Sequence, residues 1–252
     1  MAFITADRRT DDDSALALSR SPLGAGFGQD ASDATRFLSE ELAFVWSDFE
    51  QRLARVPIIQ RLDDGSVTLD DYRELLLNLR QQVMEGGRWI ALAASSMSIA
   101  LFPVRSLLIQ HAAEEHTDYQ MLERDYCSVG GTLEQLNSQP KNIGSEAFSA
   151  FMFHQASQPD PLDLFGAMFI IEGLGAGKAS GWADQFQDAL DLRDDQMTFM
   201  RYHGVNDDSH FDKLRMILSH PLIDDALARR LARTAKIVAR LYALQLEELG
   251  NI

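Results

Sequence analysis

The sequence predicts an all-α protein, a bundle of about seven helices. Three observations carry that expectation. Apolar residues recur at helical spacing from Ser32 to Leu249, start and stop signals punctuate the pattern, and no run alternates like a strand bounded by turn residues. No internal repeat is visible.

Residues 1–32 mix Asp, Ser, Gly and Pro without periodicity. They hold little apolar area to offset the entropy of ordering, so a flexible N-terminal arm is expected there, followed by one helical domain over 33–252. Leu38, Leu42, Val45, Phe49 and Leu53 define the first core helix, and Pro57 marks its end. Asp63-Asp64-Gly65-Ser66 reads as a turn. Thr68 then acts as N-cap, with Asp71 three residues on, for a helix through Tyr72, Leu76, Leu79 and Val83 toward Leu101. Pro103 interrupts, and a further helix is expected from about Val104 to Cys127, stopped by Gly130-Gly131. A short helix near 145–155 follows. Asp160-Pro161 is expected to open the helix that carries the apolar run Leu164 to Ile171. Asp194-Asp195 opens the next, reaching Leu218; His220-Pro221 breaks it, and 224–249 forms a last amphipathic helix.

Composition narrows the function. The chain has 252 residues, 46% hydrophobic and 24% charged, enough to bury one sizeable core. Its 38 acidic and 23 basic residues give a net charge of −15, with no stripe of Lys and Arg, so neither nucleic acid nor an anionic membrane is an expected partner. The single cysteine, Cys127, excludes a disulfide framework and a multi-thiolate zinc site and fits a reducing, cytoplasmic compartment. Met1 to Asp13 lacks the apolar run of a signal peptide, and Trp89 to Val104 falls short of the ~20 residues a spanning helix needs.

The chemistry concentrates in four places. His203, Asp207 and His210 stand at i, i+4 and i+7, so at ~100° per residue they fall within about 40° of one another on one helical face. Two imidazoles and a carboxylate together suit Fe(II), Mn or Zn. The alternative is a solvated polar face, against which Phe199, Leu214 and Ile217 put apolar residues on the same side. Glu172 is the only charged residue between Leu164 and Gly177, and a carboxylate there is neutral, paired with an Arg, or bound to a cation.

Glu115 and Asp118 share a face with Leu108, His111 and Leu122, while Glu114 lies nearer Leu107 and Met121. His111 is a further ligand or the group that orients Glu115. Glu85 precedes Gly86-Gly87, a pair that suggests a local bulge or a close backbone approach; a surface salt bridge to Arg88 is the alternative. Gly173 to Lys178 resembles a phosphate loop but is one residue short, lacks the following hydroxyl residue and has no strand before it. Cys127 is expected as a buried or inert thiol, His154 as a packed core residue, and His116 and His220 as surface residues.

This pattern resembles the heme-oxygenase-like diiron oxidases and oxygenases, on the helical fold shared with TenA proteins. The resemblance covers roughly 34–249 and rests on the His-x3-Asp-x2-His of His203, Asp207 and His210, with the lone Glu172 about thirty residues earlier. The family's earlier metal helix carries a Glu with a His a few residues on; Glu115 matches the Glu, and Asp118 stands where that His is expected. The resemblance implies a heme-oxygenase-like bundle that binds two irons, with manganese as a possible substitute. It uses O2 as co-substrate for N-oxygenation, desaturation or C–C cleavage of a small metabolite, often in a biosynthetic pathway.

The expected metal ligands are Glu85, Glu115, Asp118, Glu172, His203, Asp207 and His210, with Arg80, Arg88, Trp89, Arg201 and Tyr202 as substrate contacts. An external electron donor and a homodimer are further expectations. True heme oxygenases need an axial histidine on the first core helix, and no histidine precedes His111; TenA thiaminases need a nucleophilic cysteine of which Cys127 gives no recognisable version. Ferritin-like proteins use Glu-x-x-His, which is absent. The competing expectation is a metal-free or mononuclear binding or accessory protein on the same fold.

Overall fold

The computed structural model describes residues 11–24 and 31–251, and among them it is all helix and connecting turns, with no strand. The arm expected over 1–32 lies partly outside the described residues. Within it, α1 (Asp11–Arg20) packs against α2 (Asp33–Leu53), and Leu23 is fully buried, so part of the expected arm is a docked helix. Apolar Ala17 and Leu23, hidden among acidic and glycine residues, supply the buried area that composition alone obscured.

Ser32 caps α2 by accepting from the Thr35 amide. Pro57 does not mark a stop; it sits at the first turn of α3 (Pro57–Asp63), where its missing N–H costs nothing. Thr68 and Asp71 form the expected capping box at the start of α4 (Leu69–Ser96), the longest rod of the bundle. That helix runs unbroken through Gly86-Gly87. No bulge forms there, but the close approach does: an added Cβ at Gly87 would stand 2.7 Å from the Cβ of His116.

That contact coincides with the main departure from expectation. In place of one helix over 104–127 there are two, α5 (Phe102–Glu115) and α6 (Tyr119–Ser128), hinged at 116–118 where the chain turns over α4. Further on come α7 (Leu133–Ser138) and α8 (Ile143–Ala156), the latter capped by Asn142. Asp160 has a positive φ of 46° and accepts from the Ser98 amide, so it shapes a loop and does not cap the next helix, α9 (Leu164–Leu174).

Gly175–Ala179 continue α9 as a π-helical turn into α10 (Ser180–Leu190). Then α11 (Thr198–Leu218) begins past the expected Asp194-Asp195, which forms a single 3-10 turn. Its first amides are capped from a distance: the fully buried Asp125 of α6 accepts from Thr198 N at 3.0 Å and Phe199 N at 2.9 Å. The last helix, α12 (Asp225–Glu247), is capped by Asp224 as expected.

Helix α12 packs against α2, α8 and α9, while α4 packs against α5, α6 and α8. At the α9–α12 crossing a Cβ on Gly166 would overlap the Leu231 carbonyl, so glycine sets that spacing. The frame therefore brings three polar-bearing segments, α5 with its hinge, α9, and α11, to one interior. No single helix among the described residues is long and apolar enough to cross a membrane.

Candidate metal centre

Seven side chains converge there: His111 and Glu115 from α5, Asp118 from the hinge, Glu172 from α9, and His203, Asp207 and His210 from α11. Their donor atoms form three overlapping groups, each within 4.8 Å: Glu115 with Asp118 and His203, Glu172 with Asp207 and His210, and His111 with Glu115 and His210. Six of the seven expected ligands are thus brought together, and His111 joins them. The hinge matters here. It ends α5 at Glu115 and turns Asp118 inward, where it is 5% exposed.

The distances are those of groups waiting for a positive charge. His203 Nε2 lies 3.3 Å from Asp118 Oδ2, and His210 Nδ1 lies 3.4 Å from Glu115 Oε1 and 3.5 Å from Glu172 Oε2. Neither Asp207 Oδ1 nor His210 Nδ1 has a hydrogen-bond partner, although both are buried. Such orphaned polar atoms are costly unless something satisfies them.

The other nitrogen of each α11 imidazole is held. His203 Nδ1–H donates to the Phe199 carbonyl at 2.9 Å, leaving Nε2 as the lone-pair nitrogen. His210 Nε2 faces Glu114 at 3.3 Å, and Glu114 is itself held by Gln110 at 2.8 Å and Lys213 at 3.4 Å. Orientation of a ligating histidine through its distal nitrogen is a general feature of metal sites. Glu114 in this role was not visible in the sequence, where it faced away from the inward stripe.

Electrostatics follow from the crowding. Burial, with the Glu172 charge beside it, pushes Glu115 up to about 7. Burial pushes Asp207 up to about 8 against the pull of His203. Glu172 goes the other way: burial opposes its ionisation, but the His111 hydrogen bond of 3.0 Å and the neighbouring His210 hold it down to about 2. For His203 burial opposes protonation, yet Asp118 and Asp207 raise it to about 9; His210 is raised chiefly by Glu172.

Two glycines make room. A Cβ at Gly175, in the π turn, would overlap the Asp207 carboxylate, and one at Gly204 would overlap the Ser180 hydroxyl. The π turn therefore lets Asp207 reach the centre, consistent with the tendency of such turns to lie at functional sites.

Glu85 is not part of the cluster. Its carboxylate accepts from Lys141 Nζ and Ser149 Oγ, each at 2.6 Å, so it has its own cation. Arg88 is 3.8 Å from it and largely exposed. Arg80 is tied to Glu123 at 2.7 Å and Asn137 at 3.0 Å, and Arg201 to Asp184 and Gln187 at 2.6 Å each; both brace helices and neither lines the cavity at the centre. Tyr202 stands edge-on to His203 at 5.3 Å on the outer side, 41% exposed. His154 and Cys127 are exposed, against the expectation of burial for each, while His116 and His220 are exposed as expected.

Of the expected substrate contacts, Trp89 lines a cavity of about 110 Å³ that opens onto the donors. Its walls are mainly apolar, including Leu75, Val83, Ile171, Trp182 and Met200. Glu115, Glu172, His203 and Asp207 lie at one side, and Gln82 and Tyr242 also line it.

No family model and no curated protein matches the chain. Solved structures do. A domain of unknown function with a heme oxygenase-like fold from Shewanella denitrificans superposes with a TM-score of 0.77 at 19% identity, over 82% of this chain and 89% of that one. A TenA homolog from Pseudomonas syringae gives 0.73 at 16% identity, covering 90% and 100%. Heme oxygenase-1 from the cyanobacterium Synechocystis, in complex with heme, gives 0.60 at 19% identity, covering 87% and 94%. The likeness establishes the heme oxygenase-like all-α fold.

Proposed function

We propose that on this heme oxygenase-like scaffold the seven converging side chains hold two divalent metal ions, iron foremost, and that the protein is an O2-dependent oxidoreductase acting on a small metabolite. The observation that carries this reading is the division of the donors. Glu115, Asp118 and His203 form one triad and Glu172, Asp207 and His210 another, with Glu115 also grouped with His210 and His111. Each triad has one imidazole and two carboxylates, a nitrogen and oxygen set suited to Fe(II) or Mn(II). Four carboxylates match the charge of two divalent ions, and the orphaned Asp207 Oδ1 and His210 Nδ1 acquire a partner.

Bound iron would supply the redox chemistry with O2 that no side chain here provides. The chain's own residues do the rest. The Phe199 carbonyl and Glu114 fix which imidazole nitrogens face inward. The apolar walls around Trp89 and Met200 exclude water and hold an organic body beside the donors. No Lys or Arg lines that cavity, so a polar group of the substrate is met by the metals, or by Gln82 and Tyr242. N-oxygenation, desaturation and C–C cleavage all fit such a site, with an external donor supplying electrons where the reaction needs them.

Anaerobic reconstitution with Fe(II) or Mn(II), followed by metal analysis of the desalted protein, tests the reading. About two metal ions per chain are expected, reduced to at most one in His203→Ala. A stoichiometry of one points to a mononuclear enzyme. No stoichiometric metal under any condition leaves a binding or accessory protein on this fold.

A further inference from the structure

A second void reaches the donors. It holds about 30 Å³ between α5, α9 and α11, with His111 and His210 in its wall and Leu108, Met168 and Leu214 around them. His111 also belongs to the wall of the larger cavity, so the two voids meet at this imidazole. A third void of about 160 Å³ adjoins the second, sharing Leu107, Phe165, Lys213 and Ile217 with it. It extends to Pro103 at the start of α5 and to Met216 and Leu222 near the end of α11, where Met216 is 65% and Leu222 50% exposed.

We infer that this apolar passage admits O2 to the metal centre, apart from the cavity that takes the organic substrate. The inference rests on the dimetal reading. Size excludes other occupants: the inner void is about the ~30 Å³ that one water occupies in the liquid, so no chain or ring fits. Polarity selects what enters. Apart from His111 and His210 at the inner end, the polar side chains of the inner void are Gln110 and Lys213, and both are engaged by Glu114. Water therefore finds few partners along the walls, whereas apolar cavities of proteins stay dry and take up xenon. A separate route also solves a geometric problem. A substrate filling the 110 Å³ cavity covers that approach to the donors, and O2 must still arrive.

Xenon is the probe for the passage, read in the full-length chain by 129Xe chemical shift titration and in xenon-pressurised crystals. Saturable binding between Leu107, Phe165 and Ile217 is expected, abolished in Ile217→Trp and weakened in Leu107→Phe, the milder variant that keeps the test alive should tryptophan prevent folding. In Fe(II)-loaded protein without substrate, stopped-flow mixing with O2 is expected to show a several-fold lower second-order rate constant of iron oxidation in the same variants. Iron content and melting temperature should be unchanged. Absence of xenon from the passage overturns the inference, as does an unchanged O2 rate constant in a variant that excludes xenon. Failure to bind iron overturns the dimetal reading instead, and the O2 route with it, while the xenon measurement still reports separately whether the passage admits a gas.

Discussion

Two buried polar regions of this molecule contrast sharply. Between α4, α8 and α12, donors meet acceptors: Asn142 Nδ2 donates to Asn78 Oδ1 at 3.0 Å and to the Gln245 carbonyl at 2.9 Å, while its Oδ1 accepts from the Ser145 amide at 2.8 Å. Between α5, α9 and α11, acceptors meet acceptors, and buried atoms of Asp207 and His210 go without a partner. Burial alone therefore does not mark a site; mismatch does. Glu85 makes the same point with a charge, since Lys141 and Ser149 satisfy it and remove it from consideration as a ligand.

The contrast can be broken by experiment, beginning with the matched region. Asn142→Ala removes the cap of α8 and leaves buried partners unpaired, so a loss of about 3 kcal/mol is expected in chemical denaturation, with metal content unchanged. In the mismatched region the pattern reverses. Gly175→Ala forces the Asp207 carboxylate aside, and metal affinity by competitive chelation should fall about 10-fold or more while stability without metal changes by less than about 1 kcal/mol.

pH sharpens the same distinction. In the metal-free protein, Glu115 and Asp207, raised to about 7 and about 8, contribute stability that is present at low pH and lost as pH rises through those values. His203, raised to about 9, contributes in the same direction, losing its share as pH rises through 9. The depressed Glu172 acts oppositely, but only near pH 2 to 4.5. The melting temperature without metal should therefore drop between pH 6 and 9, and bound metal should flatten the drop; a flat profile without metal contradicts the mismatch. The smallest effect is expected for Glu85→Gln, which should leave metal stoichiometry intact and cost about 1 kcal/mol.

Much of this was legible in the chain. Thr68 and Asp224 cap where local chemistry says they should, and the face shared by His203, Asp207 and His210 turns inward with its apolar neighbours. What was missed depends on residues distant in sequence. Nothing between Glu115 and Tyr119 is a Gly or Pro, so the hinge is unmarked locally; the close seat for His116 lies across in α4, at Gly87. Asp125 caps α11 from 73 residues away, and Glu85 finds Lys141 at a separation of 56, pairings that no helical periodicity reveals. Arg80 and Arg201 illustrate the same limit, since a cation near a predicted site is equally suited to bracing two helices. Residues 1–10 and 25–30 of the expected arm lie outside the described structure.

The wide turn at Gly175–Ala179 has one more consequence. A turn closed i→i+5 carries one residue beyond the ordinary α-helical count, so everything after it is out of phase with α9 by about 100°. Glu172 and Trp182 thereby both reach the same hollow from what is nearly one continuous rod. Removing a single residue from that turn would give a more regular helix that no longer presents Trp182 to the space Glu172 faces, so the chain's length is as constrained here as its composition.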